Sequence, residues 1–358
     1  MKIILATPIY PPEIGGPSQY VKNLEKGLKE RGIETEVISY NNLKKYPQPL
    51  RFFLYSLNLF KRAQNIDIIY TFNLISCGLP TYLISRILRK KFIIRLGGDF
   101  LWERAIEEGR TKKGLREYYE ERKSLKEKFF FFLFKKILNG ADKIVFTTNF
   151  QKKLYKKYFD IIEKRTVIIS NPFPEVKPIN SQLSALKYEF LYAGRLIKLK
   201  NLDVLIKVFA KISKKTNMSL VLKIIGEGPE RDNLGIKIKN LGLEEKIIIK
   251  DSLPYSELLK EIQKSYFCIL PSLTEISPNF ALECIKLRKP LLLTKETGIY
   301  NRFKNHLIFI DPQRPEDIEQ KILYLLNEEN YRNYIKIIET IDISWNWQNI
   351  IEEHLSIF

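Results

Sequence analysis

Twelve short apolar runs alternate with stretches of helical period along this chain. They are KIILAT, TEVISY, DIIYTF, KFIIRL, KIVFTT and TVIIS in the first half, then EFLYA, LVLKII, KIIIK, FCIL, PLLLT and LIFI in the second. Short, nearly continuous apolar runs are typical of strands buried on both faces, and the helices between them supply the crossovers that parallel strands need. The pattern predicts an α/β fold with parallel sheets covered by helices on both faces.

The alternation pauses once, and the pause predicts two domains. The stretch SNPFPEVKPINSQLS carries three prolines and little periodicity, so we expect a linker at 171–185. An N-terminal domain at 1–170 and a C-terminal domain at 186–343 would then flank it, since 358 residues exceed one ordinary core. Residues 344–358 are predicted to form a last helix. Two domains imply a cleft, and ligands of open α/β sheets bind beyond the carboxyl ends of the strands.

The charge is concentrated in the first half of the chain. The net charge is +19, and residues 1–170 hold 33 Lys and Arg against 17 Asp and Glu. This excess indicates an anionic partner for that half: a membrane surface, an acidic substrate or nucleic acid. No stretch reaches the ~20 apolar residues of a membrane span. Pro8, Pro11 and Pro12 interrupt the opening segment, which favours a buried strand over a signal peptide and predicts a cytoplasmic chain.

Cysteine and histidine are too few for several common kinds of site. Cys77, Cys268 and Cys284 are odd in number, widely spaced and set among apolar residues, so we expect buried, inert thiols rather than disulfides or zinc ligands. His306 and His354 are the only histidines, which argues against Ser-His or Cys-His catalysis and against a His-rich metal centre. Any chemistry therefore depends on carboxylates and cations.

A cationic segment follows the first strand of the second half. In LYAGRLIKLKNLDVL, Asn201 is expected to cap a helix beginning at Leu202, with Arg195, Lys198 and Lys200 near its positive end. A helix N-terminus favours anions, so the three cations repel locally unless a bound phosphate lies among them. The alternative is that they are solvated surface lysines with one arginine packed on the strand.

A Gly-Gly-Pro turn follows the first strand of the chain. Gly15 and Gly16 precede Pro17 and a helix expected to run to about Arg31. Two glycines allow a ligand to approach bare backbone N–H groups. Simple loop geometry would explain the same residues.

Two carboxylates lie around a predicted helix start in PSLTEISPNFALECIKL. Ser277 is expected to cap a helix whose first residue is Pro278, which places Glu283 about 7 Å along the axis. That distance is close to the span of a diphosphate, so Glu275 and Glu283 could bind a sugar and a ribose on either side of one. The alternative partner for Glu283 is Lys286, one helical turn away.

Together these residues resemble glycosyltransferase family 4, a family of retaining sugar-nucleotide transferases. The resemblance spans nearly the whole chain and rests on Gly15-Gly16, on GRLIKLKN, on IIGEGPE and on the pair Glu275 and Glu283. It implies the GT-B fold, in which two Rossmann-like, doubly wound parallel-sheet domains face a cleft. It also implies that the last helix crosses back onto the first domain.

The resemblance implies a role for each matching residue. Arg195 and Lys200 would bind the donor diphosphate, Glu283 the ribose and Glu275 the transferred sugar. Further donor contacts are expected at Gly15, Gly16, Ser277, Asn279 and Gly226. The donor would be a UDP-, GDP- or ADP-sugar with no separate cofactor. The chain has no Asp-x-Asp motif, and we expect no metal ion.

The chain departs from many members of the family at two places. Ile276-Ser277-Pro278 replaces a Gly-Phe-Gly after the first glutamate, which leaves the sugar preference open. Gly97 stands where many members have a histidine, within RLGGDFLWE. Asp99, two residues later, is expected either to face the reacting sugar or to be an exposed loop residue.

Two aromatic and basic segments, EKFFFFLFKKIL and LRFFLYSLNLFKR, suggest a peripheral contact with an anionic membrane. Six consecutive apolar residues at 129–134 cover every side of a helix, so they cannot all face one core; a helix wedged inside the first domain is the alternative. A nucleic-acid-binding protein has only the charge in its favour. A catalytically silent protein that binds sugar nucleotides or glycans is the other alternative.

Overall fold

Each half of the chain forms one six-stranded parallel sheet. The structure is a computed structural model that describes residues 1–13, 15–176 and 188–358. These residues divide into two units. Unit 1 comprises Met1–Leu101, Tyr119–Pro172 and Asn346–Phe358, and unit 2 comprises Trp102–Tyr118 and Phe173–Trp345.

The sheet of unit 1 has the strand order β2-β1-β3-β4-β5-β6. Its strands are β1 (Lys2–Thr7), β2 (Glu34–Ser39), β3 (Ile68–Thr71), β4 (Lys91–Leu96), β5 (Lys143–Phe146) and β6 (Thr166–Ile168). The helices in this part of the chain are α1 (Gly16–Lys29), α2 (Gln48–Arg62), α3 (Gly78–Leu88), α4 (Phe100–Glu107), α5 (Leu115–Glu120), α6 (Leu125–Gly140) and α7 (Asn149–Phe159).

The sheet of unit 2 has the strand order β12-β11-β10-β7-β8-β9. Its strands are β7 (Glu189–Ala193), β8 (Val221–Ile225), β9 (Ile247–Lys250), β10 (Phe267–Leu270), β11 (Leu291–Thr294) and β12 (Ile308–Ile310). The helices that follow are α8 (Leu202–Lys215), α9 (Arg231–Asn240), α10 (Tyr255–Lys264), α11 (Asn279–Lys286), α12 (Tyr300–Phe303), α13 (Pro315–Leu326) and α14 (Glu328–Glu339), with α15 (Trp347–Leu355) in unit 1.

Each of the twelve predicted runs overlaps a strand, and each strand pairs in parallel. The central strands β3, β10 and β11 are buried along their whole length. Strands covered on both faces have no solvent side, which is why their sequences are nearly continuous apolar runs. The prediction of an α/β fold with two parallel sheets is confirmed.

Each sheet reverses its strand order at one point. In unit 1 the chain moves from β1 outward to β2 and then back to β3 on the other side of β1. In unit 2 it moves from β7 out through β8 and β9 and returns to β10 beside β7. The loops that leave the two strands at such a switch point diverge, and the gap between them at the carboxyl edge receives ligands in open α/β sheets.

The two units differ from the predicted domains chiefly in one segment, and by two residues at the C-terminal boundary. Residues 102–118, expected in the N-terminal domain, belong to unit 2 because their backbone N–H groups bond to side chains there. Residues 346–358 belong to unit 1, where α15 packs on α1. Of the predicted linker, residues 177–185 lie outside the described residues.

The two tryptophans near the C-terminus pack in different units. The Trp345 ring packs against the core of unit 2, whereas the Trp347 ring lies 5.0 Å from the Tyr20 ring in unit 1. The three cysteines are buried and free, as predicted. Within the described residues, no helix is both long and apolar enough to cross a bilayer.

Candidate donor site in unit 2

The predicted site residues of the second half converge on the switch point of unit 2. Arg195 and Lys200 follow β7, and Glu275 follows β10, the neighbouring strand in the sheet. The loop after β7 is tied to the loop after β10 through the Leu273 N–H, which donates to the Leu199 carbonyl at 2.9 Å. Two parallel strands therefore deliver a basic segment and an acidic segment to one edge of the sheet.

Lys200 and Glu275 form a buried ion pair there. The Lys200 Nζ lies 2.5 Å from Glu275 Oε1, with the two side chains 16% and 10% exposed. The Ser272 hydroxyl donates to the same oxygen at 2.6 Å. Glu275 Oε2 has no hydrogen-bond partner among the described residues. Because a buried charge is costly without partners, this pairing explains how both groups are held at the sheet edge.

The backbone around Glu275 is fixed by the loop after β11. The Glu275 N–H donates to the Glu296 carbonyl at 3.0 Å, and the Gly298 N–H donates to the Glu275 carbonyl at 2.8 Å. Glu275 and Thr297 form an isolated parallel bridge. The segment that replaces the family's Gly-Phe-Gly therefore starts from a residue braced on both sides.

Three glycines let the loops after β7 and β8 lie against each other. Gly194, Gly226 and Gly228 have φ of 153°, 148° and 154°, a region that side chains disfavour. A Cβ on Gly226 would lie 1.9 Å from the Gly194 carbonyl oxygen. The Leu196 N–H donates to the Glu227 carbonyl at 2.7 Å across the same contact. Gly226, predicted as a donor contact, is thus required by the backbone packing behind the cationic loop.

The cations after β7 have protein partners. The Arg195 side chain is 66% exposed, and its guanidinium lies 3.5 Å from the Glu103 carboxylate. Lys198 Nζ donates to the backbone carbonyl of Glu107, the last residue of α4, at 2.7 Å. Glu103 and the Glu107 carbonyl of segment 102–118 contact Arg195 and Lys198, and Glu275 pairs with Lys200. The alternative of solvated lysines is therefore wrong for the part-buried Lys200, whereas Lys198 is exposed.

Asn201 has a different role from the one predicted. Helix α8 does begin at Leu202, but Asn201 makes no side-chain cap. It adopts a left-handed conformation with φ of 58°, and its amide donates to the Pro271 and Pro312 carbonyls at 3.2 and 2.9 Å. The residue ties the loops after β10 and β12 to the start of α8.

Helix α11 begins one residue later than predicted. Pro278 occupies the N-cap position, Asn279 is the first helical residue, and no side chain caps the helix. The prediction that Ser277 caps it is therefore wrong. A proline ring has no hydrogen-bond acceptor, so with Pro278 at the N-cap the helix starts without a side-chain cap. At a helix start without a side-chain cap, the first backbone N–H groups are the ones that can bind an anion.

Glu283 lies half-buried on α11, and the pKa of its carboxyl is shifted strongly. Burial raises the pKa of Glu283 to about 7, partly offset by a hydrogen bond from the Tyr255 hydroxyl at the start of α10. Among the described residues Glu283 makes no ion pair, so the alternative that Lys286 balances it is wrong. Sequence reasoning missed Tyr255, because nothing local links these two positions.

Segment 102–118 contacts the loops that hold Glu275. The Leu115 N–H donates to the Thr274 hydroxyl at 2.8 Å, and the Arg116 N–H donates to Glu296 Oε1 at 2.9 Å. Burial raises the pKa of Glu296, and the Arg116 N–H opposes that rise. A Cβ on Gly114 would lie 2.1 Å from the Glu296 carboxylate. These contacts give the loops that hold Glu275 a second layer that the sequence did not reveal.

The predicted residues of unit 1 lie at its own switch point or in its interior. Helix α1 starts at Gly16 with Gly15 as an uncapped N-cap, next to Pro17, so Gly15 and Gly16 do follow β1 as predicted. Asp99 is fully buried, and its Oδ2 accepts from the Tyr119 and Tyr155 hydroxyls at 2.6 and 2.9 Å. The expectation of an exposed loop aspartate is wrong, and a carboxylate this enclosed presents no surface to a sugar.

No group of three or more potential metal ligands occurs within the described part of the chain. The polar groups at the switch point of unit 2 are instead one buried ion pair, exposed cations and a half-buried carboxyl of raised pKa. This set suits a ligand that combines phosphate with hydroxyl groups, because cations and free N–H groups bind phosphate and carboxylates accept from hydroxyls.

Two protein families match successive parts of the chain. Residues 14–175 match the family described as Glycosyltransferase Family 4, and residues 177–339 match the family described as Glycosyl transferases group 1. An uncharacterized glycosyltransferase of Methanocaldococcus jannaschii is 24% identical over 367 aligned positions, covering 93% of this chain and 90% of the relative.

Solved structures resemble the whole chain. A sucrose-phosphate synthase of Thermosynechococcus elongatus has a TM-score of 0.78 at 15% identity, covering 99% of this chain and 98% of that one. Anabaena HepE in complex with UDP has a TM-score of 0.73 at 15% identity, covering 99% of each chain. At these identities the likeness establishes the fold, which is GT-B.

Proposed function

The chain belongs to the glycosyltransferases of family 4, and on that premise we propose that it moves a sugar from a nucleoside diphosphate to a glycan or lipid-linked acceptor. The observation that carries the proposal is the Lys200–Glu275 ion pair at the switch point of unit 2. It sets a phosphate-binding group and a hydroxyl-binding group side by side. The donor is a UDP-, GDP- or ADP-sugar, and the UDP-bound HepE structure makes UDP the first to test.

The donor diphosphate binds the cations after β7. Lys200 has three N–H donors and uses one on Glu275, which leaves the others for phosphate oxygens. The exposed Arg195 guanidinium presents a planar fork that suits a bidentate phosphate contact. The uncapped N-terminus of α11 adds backbone N–H groups and the positive end of a helix dipole.

The two carboxylates bind hydroxyl groups on either side of the diphosphate. Glu283 accepts from the ribose diol, and this contact favours the ionised form of a carboxyl whose pKa is about 7. Glu275 Oε1 is held by Lys200 and Ser272, so Oε2 is the oxygen available to the transferred sugar. Ser277 directly precedes the N-cap of α11 and Asn279 is its first residue, so both are proposed to contact the donor at this end of the helix.

Loss of the diphosphate builds negative charge on the leaving group. Cations and backbone N–H groups already fixed in place stabilise that charge more in the transition state than in the ground state. Arg195 and Lys200 are the catalytic groups in this scheme, Glu275 orients the sugar, and transfer retains the configuration at the anomeric carbon. Asp99, being buried and bound by two tyrosines, acts as a positioning residue for the loop after β4.

The charge of unit 1 supports a membrane-associated acceptor and location. Its sequence holds 28 Lys and Arg against 15 Asp and Glu, a net +13 that favours an anionic surface. We assign the chain to the cytoplasmic face of a membrane, where it would take part in cell-envelope or glycoconjugate biosynthesis.

A thermal-shift screen tests the donor. UDP, GDP, ADP and their sugars are added in turn, and a ligand at 100 times its Kd stabilises the native state by about 2.7 kcal/mol. We expect one nucleoside diphosphate to raise Tm clearly above the other two. A duplex DNA in the same screen tests the nucleic-acid alternative. A rise in Tm with DNA and with none of the nucleotides would reject the proposal.

Transfer assays test the residue roles. Donor turnover should fall at least a hundredfold in Lys200→Ala and in Glu283→Ala, with folding checked by circular dichroism. Lys207→Ala is the matched control, since Lys207 lies on α8 and pairs with Asp203 in an exposed position. Near-wild-type turnover in either site variant defeats the assignment.

A further inference from the structure

Three helices of unit 1 expose large apolar side chains. They are α2 with Leu50, Phe53, Leu57 and Phe60, α3 with Leu83 and Ile87, and α6 with Leu125, Phe129 and Phe132. The most exposed are Leu125 at 85%, Ile87 at 68% and Phe129 at 63%. We call these nine side chains the three-helix apolar face. Single exposed leucines are ordinary, but a cluster on neighbouring helices marks an interaction surface.

The spacing of these residues shows that the solvent-exposed side of α2 and of α6 is apolar. On α2 the exposed residues recur every three or four positions from 50 to 60, and on α6 they do so from 125 to 132. Residues at that spacing lie on the same face of a helix. The opposite faces enter the interior, where Tyr55 and Leu59 of α2 and Phe134 and Ile137 of α6 are fully buried. The aromatic run at 129–134 is therefore divided between the core and the surface.

The three helices are neighbours on one side of the sheet. Helix α3 contacts both α2 and α6, and Gly140 of α6 approaches Tyr82 of α3 so closely that a Cβ would lie 2.3 Å from the ring. The crossovers from β1 to β2 and from β2 to β3 run in opposite directions, so right-handed connections put α1 on one face of the sheet and α2 on the other. The apolar side chains thus project from one layer of helices.

The charge on these helices is almost entirely positive. Helices α2, α3 and α6 carry eight Lys and Arg and one acid, Glu127, which is buried in the capping box of α6. Five exposed cations make no ion pair with any described residue: Lys61, Arg86, Lys126, Lys128 and Lys136. The Lys136 ammonium lies 5.5 Å from the Phe132 ring centre. Cations therefore surround and interleave the apolar side chains.

We propose that the three-helix apolar face docks on the surface of an anionic lipid bilayer. Leucine and phenylalanine side chains enter the boundary between headgroups and acyl chains, while lysines and arginines contact the headgroups. This inference rests on the membrane association proposed above and names the surface responsible for it. Phe100 is also exposed and its ring contacts that of Phe130 on α6, so it would lie at the edge of the surface that contacts the bilayer.

Charge complementarity favours a bilayer over a second copy of the chain. A two-fold dimer through this face would bring the same unpaired cations opposite one another, at a cost in like-charge repulsion. Nucleic acid would satisfy the cations but would leave the leucines and phenylalanines without an apolar environment. An anionic bilayer satisfies both sets at once.

Vesicle flotation of the full-length chain tests the proposal. We expect binding to vesicles of 70% phosphatidylcholine and 30% phosphatidylglycerol, weaker binding at 0.5 M salt, and little binding to phosphatidylcholine alone. The triple variant Lys126→Gln, Lys128→Gln, Lys136→Gln should lose about a hundredfold in partitioning, since each cation near such a surface contributes about fivefold. Phe53→Ser, Phe129→Ser, Phe132→Ser should lose at least tenfold.

Matched controls locate the surface. Lys22→Gln, Lys26→Gln, Lys29→Gln removes the same charge from α1, on the other side of the sheet, and Ile236→Ser removes an exposed apolar residue from unit 2. Both should bind like the wild type. Equal losses in the control and test variants would overturn the assignment of this face while leaving membrane association intact. The bilayer would be rejected as the partner of this face if the wild type bound no anionic vesicle. It would also be rejected if the wild type formed a dimer that the phenylalanine variant could not form. Donor turnover, read separately, is independent of these outcomes.

Discussion

The two units share one backbone architecture but use their switch-point loops differently. In unit 2 the loops after β7 and β10 hold a buried ion pair and exposed cations, and the helix that follows carries a second carboxyl, Glu283. In unit 1 the acidic residue after β4, Asp99, is enclosed by tyrosines, and the free cations lie instead on the outer helices. The comparison shows that an open α/β sheet supplies the place for a ligand, while the side chains on its loops decide whether that place binds an anion.

The same contrast appears in the glycines that follow the strands. Gly97, after β4 of unit 1, has no atom within 4 Å of an added Cβ. Gly226, after β8 of unit 2, has the Gly194 backbone inside that distance and a φ of 148°. The loops of unit 2 are therefore packed against one another, which holds their charged groups in fixed positions.

The largest expected effect is a difference in turnover between variants of Glu275 in unit 2 and of Asp99 in unit 1. Glu275→Gln should lower turnover about a hundredfold or more, because a neutral amide orients a sugar hydroxyl poorly and leaves Lys200 without its counter-charge. Asp99→Asn in unit 1 should instead lower stability by about 1–3 kcal/mol, because a neutral amide oxygen accepts the two tyrosine hydrogen bonds more weakly than the charged carboxylate oxygen that accepts both. The measurements are steady-state turnover per folded protein and thermal unfolding. If Asp99→Asn loses as much turnover as Glu275→Gln, the two carboxylates do not differ in role.

Gly226→Ala and Gly97→Ala compare the loop packing directly. We expect Gly226→Ala to destabilise by about 3–5 kcal/mol, since the added methyl meets backbone at 1.9 Å in a disfavoured conformation. Gly97→Ala should change stability by less than about 1 kcal/mol. Gly235→Ala, in open space within α9, should raise stability by about 0.5–1 kcal/mol and serves as the control in unit 2. Equal Tm values for the first two variants would contradict the packing difference.

The half-buried Glu283 should make unit 2 lose stability as pH rises. Its pKa is raised from 4.5 to about 7, so the native state binds the proton more tightly than the unfolded chain. The stabilisation from that proton is complete below pH 4.5 and is lost as pH passes 7, up to about 3 kcal/mol. Glu283→Gln should remove this slope in thermal unfolding between pH 5 and 8. A variant with the wild-type slope would mean that another group titrates.

A buried histidine should give unit 1 the opposite dependence. Burial first, and then Arg95, lowers the pKa of His354 from 6.5 to about 3. The neutral ring fits, because its Nδ1 lies 2.7 Å from the Ile350 carbonyl and its Nε2 3.0 Å from the Tyr70 hydroxyl. Its contribution is complete above pH 6.5 and falls as pH drops toward 3, by about 2 kcal/mol at pH 5. His354→Gln should reduce the loss of stability that thermal unfolding shows as pH falls from 6.5 toward 3. An unchanged loss in this variant would mean that carboxylates, not His354, cause it.

The strands, the fold class and the place of the site could be predicted from the sequence because each depends on local pattern. Buried parallel strands produce continuous apolar runs, and switch-point loops follow from strand order. The first residue of α11 was misplaced by one position because Ser277 and Pro278 both suit a helix start. Sequence gives the candidates for a cap, and only the backbone path selects among them.

The partners of the site residues could not be predicted because they lie far apart along the chain. Arg116 and Glu296 meet across 180 positions, and Tyr255 reaches Glu283 from the preceding helix. Asp99 shows the reverse case, in which a motif suggested chemistry and tertiary packing enclosed the side chain. Local spacing carries no information about such contacts, so the residues that brace a site are the ones sequence analysis misses.

Calorimetric titration of a nucleoside diphosphate into the donor-free protein tests the central claim most directly. The account predicts that Lys200→Ala weakens binding at least tenfold, because the diphosphate loses a buried, preoriented cation. It predicts no change for Lys207→Ala, seven positions along the same segment. Equal Kd values for wild type and Lys200→Ala, with the fold intact, would contradict a diphosphate site at the switch point of unit 2.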